Sequence, residues 1–138
     1  MTTFLLLWLF AQAAVVAFVW LFTIGLGAPA SRDVTGRVVL IVAVKGPDPE
    51  FEHFLDAVAA QDYPEFRAVF AVQAADDPAV AQVERFRAGR EDRVSIVVAG
   101  LAEDEGQKSA NLRAALKRIV ASDDFVVFAD ANIRPDPD

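Results

Sequence analysis

Apolar positions follow two regimes along this chain. From Phe4 to Leu26 they run almost unbroken, interrupted only by Gln12, Thr23 and Gly25. A helix needs about 20 such residues to cross roughly 30 Å of hydrocarbon, so the run predicts one transmembrane helix. A cleaved signal peptide would carry a basic n-region and an apolar core of only about 7 to 15 residues. No Lys or Arg precedes this run, and Ala28-Pro29-Ala30 is a faint cleavage site at best.

After Gly36 the spacing changes to short apolar runs alternating with helical stripes. Val38–Val44 is continuous and mostly β-branched, the pattern of a strand buried on both faces. Asp48-Pro49 then reads as an N-cap with proline in the first helical position. Phe51, Leu55, Val58 and Ala59, with Phe54 beside them, form one helical face. The unit repeats in kind. Ala68–Val72 is a strand, Asp77-Pro78 a second cap, and Val80, Val83 and Phe86 a second stripe. Val94–Val98 is a third strand; Leu112, Ala115, Leu116, Ile119 and Val120 stripe a third helix; Phe125–Ala129 is a fourth strand. Strands alternating with helices in the order β-α-β-α-β-α-β predict an α/β fold, a Rossmann-like parallel sheet with right-handed crossovers behind an N-terminal transmembrane helix. The boundaries read as a transmembrane anchor and linker over residues 1–30 and a folded domain over residues 31–138.

Charge sharpens the division. Residues 1–30 carry no charged side chain, so the whole formal net charge of -7 falls on the remainder. An acidic domain lacks the clustered Lys and Arg of a nucleic-acid footprint, and it gives no support to tight docking on anionic lipid. Arg32 and Arg37 are the first basic residues and follow the span, so the positive-inside bias puts the N-terminus outside and the domain in the cytoplasm. The absence of cysteine agrees with a reducing compartment.

Ligands of open parallel sheets gather outside the carboxyl ends of the strands. Lys45-Gly46, Gln73–Asp77, Ala99–Lys108 and Asp130–Asn132 follow the four strands and share that edge. Asp76, Asp77 and Asp130 with Lys45 and Lys108 suit a nucleotide site built on a hard divalent cation, Mg²⁺ or Mn²⁺, that bridges phosphate oxygens. Each residue also has a plainer reading. Asp77 caps a helix, Gly46 makes a turn, and Lys108 and Asn111 belong to a helix start that either attracts an anion or is capped by Ser109 or Asn111. Asp130 differs, because an ionised side chain closing a buried strand needs a partner. His53, the single histidine, lies beside the helix stripe and carries little catalytic weight. A phosphate-binding Gly-rich loop, a Cys/His metal cluster and a G-x-S-x-G elbow are all absent from the sequence. A receiver-like domain would place an acidic pair after its first strand, where Lys45-Gly46 stands.

As a set, "VAVKGPDPEFEHFLDAVAAQDYPEFRAVFAVQAADDPA", "GQKSANL" and "FADANIRPDPD" resemble the start of the ceramide glucosyltransferase-like branch of the family 2 glycosyltransferases, from about Val38 onward. The resemblance implies a GT-A nucleotide-sugar-binding fold and inverting transfer of a sugar from a UDP-sugar to a lipid acceptor, ceramide-like or hopanoid-like, at a membrane. It puts Asp77 near the nucleotide and Lys108 and Asn111 in the donor pocket; Lys45, Gly46 and Asp76, read from the shared strand edge, join Asp77 as candidate donor-binding residues. Asp130 falls at the metal and diphosphate, and Asn132 stands where many GT-A enzymes carry a second Asp. The family's general base lies in a later motif, so it is expected beyond Asp138 and no catalytic residue is assigned. On this reading the chain is an N-terminal, donor-binding portion, inactive by itself, whose Pro-Asp-Pro-Asp tail is a helix start without its helix. The alternative is a non-catalytic, membrane-anchored nucleotide-binding remnant.

Overall fold

A computed structural model describes residues 2–25 and 35–136. The linker from Gly27, including Arg32 on which the orientation reading rests in part, lies outside the described residues, as do the last two. The chain divides into two compact units, one before and one after the Val34–Thr35 bond.

The first unit is α1 (Thr2–Gly25), 24 residues without an acidic or basic side chain in its terminal turns. At 1.5 Å per residue it is about 36 Å long. Its large apolar side chains are exposed all round, Trp8, Phe10, Phe18 and Leu21 among them. A helix apolar on every side is not a surface helix of a soluble core, and α1 is long and apolar enough to cross a membrane. Thr23 is its one polar side chain near the end, and its hydroxyl donates to the Val19 carbonyl at 2.8 Å.

The second unit contains β1 (Val38–Ala43), α2 (Pro49–Ala59), β2 (Phe66–Val72), α3 (Pro78–Arg87), β3 (Val94–Val98), α4 (Gln107–Leu116) and β4 (Phe125–Asp130). The four strands form one parallel sheet in the order β3-β2-β1-β4. The alternating parallel architecture predicted from the sequence is thus the observed one.

Both predicted caps form. Asp48 accepts from the Glu50 amide at 2.9 Å and Asp77 from the Ala79 amide at 2.9 Å, each ahead of a proline in the first turn. Glu50 and Glu52 sit in the first turn of α2, and Arg85 and Arg87 in the last turn of α3, both favourable to the helix dipole. Gly89, at φ +78°, ends α3 in the left-handed conformation that glycine adopts without strain.

Strand alternation sends side chains to two cores. Val42, Val44, Ala68, Phe70 and Val72 face α2 and α3, where Phe51, Phe54, Leu55, Val58, Ala79 and Val83 are buried. The Phe70 ring meets Phe51 and Phe86 edge-on, with centroids 6.0 Å apart in both pairs, and so joins α2 to α3 through β2. On the opposite face Val39, Ile41, Val69, Ala71 and Val97 pack under Ala115 and Leu112 of α4.

Three expectations are corrected. Ala59 is exposed, and the fully buried Phe54 takes its place on the α2 face. The α4 stripe is half real: the helix ends at Leu116, and Leu116 and Val120 are exposed because α4 lies over β1, β2 and β3 and its far end overhangs them. For the same reason β4 is not a buried strand. Phe125, Val126, Val127 and Phe128 are all exposed, since no helix packs on either of its faces. Residues 131–132 form a turn, and residues 133–136 are neither helix nor strand. This segment is tied to α2 by Arg134 with Glu50 at 2.6 Å and to the residues after α2 by the Gln61 amide donating to the Asp136 carbonyl at 2.7 Å.

At the amino end of the sheet Arg67 grips Asp123 through two nitrogens, and one of them also donates to the Arg118 carbonyl at 2.8 Å. The Val120 amide donates to the same carboxylate at 2.8 Å. Asp123, with a side chain only 2% exposed, therefore fixes the connection from α4 to β4.

Candidate donor site at the carboxyl edge

The order β3-β2-β1-β4 reverses direction between β1 and β4, and such a switch point opens a crevice beyond the carboxyl ends of the strands. Ala43 of β1 is in register with Asp130 of β4 and with Ala71 of β2. Asp130 on one side and the β2–α3 loop on the other therefore flank the turn that begins at Lys45.

That turn is held by Asp77. Its Oδ1 accepts from the Ala79 amide and also from the Gly46 amide, both at 2.9 Å. One carboxylate oxygen thus caps α3 and ties the β1–α2 turn to the β2–α3 loop. Gly46 has φ +65°, where a side chain is strained, while a Cβ there would meet nothing within 4 Å. Its requirement is backbone conformation rather than space. Lys45 and Asp76 are exposed beside this junction.

Across the edge, α4 begins at Gly106 without any side-chain cap, so neither Ser109 nor Asn111 caps it. Asn111 is instead buried, at 2% exposure, and its amide donates to the Ala71 carbonyl of β2 at 3.3 Å. Gln107 completes the attachment. Its amide donates to Asn111 Oδ1 and to the Gly100 carbonyl, both at 2.8 Å, and its carbonyl oxygen accepts from the Ala102 amide at 2.9 Å. Gln107 and Asn111 fix the first turn of α4 against the sheet. The sequence reading missed Gln107, although its i, i+4 spacing from Asn111 is a recognisable helical pair.

With α4 so placed, Lys108 projects to β4 and its ammonium pairs with Asp130 Oδ1. Asp130 has its required partner, though at an exposed strand end rather than a buried one. Asn132 is exposed in the turn closed by the Ile133 amide donating to the Asp130 carbonyl at 3.2 Å. Asp and Asn suit the first and third positions of such a turn. Asp76, Asp77 and Asp130 share the edge without converging: among the described residues no group of three or more Asp, Glu, His or Cys could hold a metal. The donor set Asp130 and Asn132 still fits Mg²⁺ or Mn²⁺ in one respect. Such ions take one or two protein oxygens and complete their shell with water and substrate phosphates.

A half sheet of this order, with acidic and basic groups at its switch point, defines an open parallel α/β domain, and solved structures narrow the class. The chain is similar to a mannosyltransferase from Pyrobaculum calidifontis in complex with GDP-Man and Mn²⁺, at 24% identity and TM-score 0.64, over 88% of this chain and 36% of the other. It is also similar to TarS of S. aureus, at 24% identity and TM-score 0.57, over 73% of this chain and 29% of that one. These likenesses establish the GT-A-type half fold, and the chain spans about a third of the length of those proteins. The family model for glycosyl transferase family 21 matches residues 3–138. The chain belongs to that family, so the resemblance to family 2 seen in the motifs resolves to family 21. No curated protein matches significantly.

Proposed function

We propose that this chain forms the donor-binding part of a membrane-anchored glycosyltransferase that moves a sugar from a UDP-sugar to a lipid hydroxyl with inversion, the acceptor being ceramide-like or hopanoid-like. One observation carries the proposal: in a family 21 chain, Lys108 and Asp130 pair across the β1/β4 switch point. The GDP-Man and Mn²⁺ bound by the similar mannosyltransferase support a nucleotide sugar and a divalent cation as ligands. The α1 helix anchors the chain with its N-terminus outside, and the domain works at the cytoplasmic face.

Each residue then has a chemical task. Asp130 and the Asn132 amide oxygen would hold Mg²⁺ or Mn²⁺. When bound, the cation would supply electrostatic stabilisation of the charge that develops on the donor diphosphate. Lys108 gives a phosphate oxygen a compact positive charge. Asp77 shapes the nucleotide end of the crevice through Gly46, with its second oxygen open to the ligand, and Lys45 and Asp76 line the rim. Asn111 acts at one remove, through Gln107 and the α4 start that carries Lys108. None of residues 35–136 is assigned as the base that takes the acceptor's proton.

The test is thermal stability of the full chain in detergent micelles with nucleotides and Mn²⁺. UDP and UDP-sugars are expected to raise Tm only when metal is present, and GDP to do so less. Equal shifts from all nucleotides, or none from any, would contradict the assignment.

A further inference from the structure

Resting on the donor-site reading above, we propose that Lys108 is a resident counter-cation of Asp130. It weakens binding of the divalent cation until a diphosphate arrives to take the lysine away. Two observations lead there. The ammonium of Lys108 already sits on Asp130 Oδ1, bridging the start of α4 to the end of β4. No second or third acidic side chain compensates for that occupancy: among the described residues the edge offers no cluster able to hold a metal, and Asp77 has one oxygen committed to the Gly46 and Ala79 amides.

A cation approaching the free protein therefore meets a single carboxylate shared with a positive charge. It must displace the ammonium and then bear its repulsion. A diphosphate at the same edge changes the balance, because it offers Lys108 a partner of higher charge and releases Asp130 to the metal. The lysine is thus an exchangeable ion, on the carboxylate in the empty site and on phosphate in the filled one. Metal and nucleotide become coupled ligands, each raising the affinity of the other by the same factor. The side chains of Lys108 and Asp130 are 61% and 58% exposed, so the lysine is free to swing. The weakening is correspondingly modest, about fivefold in metal affinity, as for an exposed ion pair.

The experiment measures Mn²⁺ binding by loss of the free-ion paramagnetic resonance signal, on the full chain in micelles, with and without saturating UDP. Wild type is expected to bind Mn²⁺ weakly alone and more tightly with UDP. Lys108→Ala should bind Mn²⁺ alone about fivefold more tightly than wild type, with a smaller gain from UDP. Lys108→Arg, which keeps the charge, should restore the wild-type pattern, and Asp130→Ala should remove the gain seen in Lys108→Ala. If Lys108→Ala binds Mn²⁺ alone no better than wild type while UDP still recruits metal, the exchange is wrong and the donor site stands. If wild type binds no Mn²⁺ even with UDP, the donor-site reading falls and takes the exchange with it.

Discussion

Asp77 does two jobs through one oxygen, and its variants separate structure from charge. Asp77→Ala removes a helix cap and leaves the Gly46 amide without its acceptor, so a loss of about 1–2 kcal/mol in urea denaturation is expected. Asp77→Asn keeps an acceptor oxygen for both amides and should remain within about 0.5 kcal/mol of wild type. If the carboxylate also serves the nucleotide, Asp77→Asn should still lose UDP affinity, by about tenfold; unchanged affinity would confine Asp77 to capping. Asp123 yields the pH dependence. The Arg67 guanidinium holds its carboxyl below the ordinary value of 3.8, with help from the Val120 amide. A depressed folded-state value means that this stabilisation is complete well above pH 3.8 and is lost as pH falls through that value toward the folded one. Acid titration of stability should therefore show a step below about pH 4 that Asp123→Asn lacks. Arg67→Ala strands a nearly buried carboxylate and should cost about 2–3 kcal/mol at neutral pH. These residue-level facts were partly legible in the sequence. Asp-Pro pairs announce caps, and an Asp closing a strand announces a partner. The second bond of Asp77, to a residue 31 positions away, and the long-range clamp of Arg67 on Asp123 belong to tertiary geometry that no local pattern encodes.

Elements were the most readable level because each is set by a period and a boundary signal. All four strands and the first two helices of the sheet domain lie where alternation and caps put them, while α4 ends at Leu116, short of the end of its stripe. The errors have one cause. A stripe says which residues can be buried, whereas burial depends on what lies opposite. The α4 helix covers β1, β2 and β3 and stops short of β4, so Leu116, Val120 and Phe125–Phe128 of β4 carry core-like sequence without a core. Hydrogen exchange of the full chain should show the contrast. Amides of β1, held between two strands, are expected to exchange slowest, and those of β4, paired on one side and exposed on both faces, fastest within the sheet. Equal protection of β1 and β4 would contradict the bare fourth strand. Phe70 is the element-level anchor. It is fully buried and touches both α2 and α3 through ring edges, so Phe70→Ala should cost about 3–5 kcal/mol in urea denaturation.

At the scale of the whole molecule, the chain places an apolar helix, an acidic domain and a polar edge in one polypeptide. The sheet brings Lys45, Asp77, Lys108 and Asp130 to its carboxyl edge, as the alternation of strands and helices predicts, while the pairing of Lys108 with Asp130 follows from β4 lying beside β1, which spacing along a chain does not reveal. A separate apolar groove between α2 and β4, lined by Leu40, Phe54, Val58, Val127, Ile133 and Pro135, lies on the sheet face rather than at this edge and lacks the charges that a diphosphate needs. The central claim is that Asp130 recruits a metal-bound nucleotide at the β1/β4 switch point. The most direct test is calorimetric titration of the full chain in micelles with UDP in the presence of Mn²⁺, comparing wild type with Asp130→Ala. Saturable, metal-dependent binding to wild type that weakens at least about tenfold, some 1.4 kcal/mol, in Asp130→Ala is the result expected. Binding that is absent from wild type, or equally strong without the Asp130 carboxylate, would contradict it.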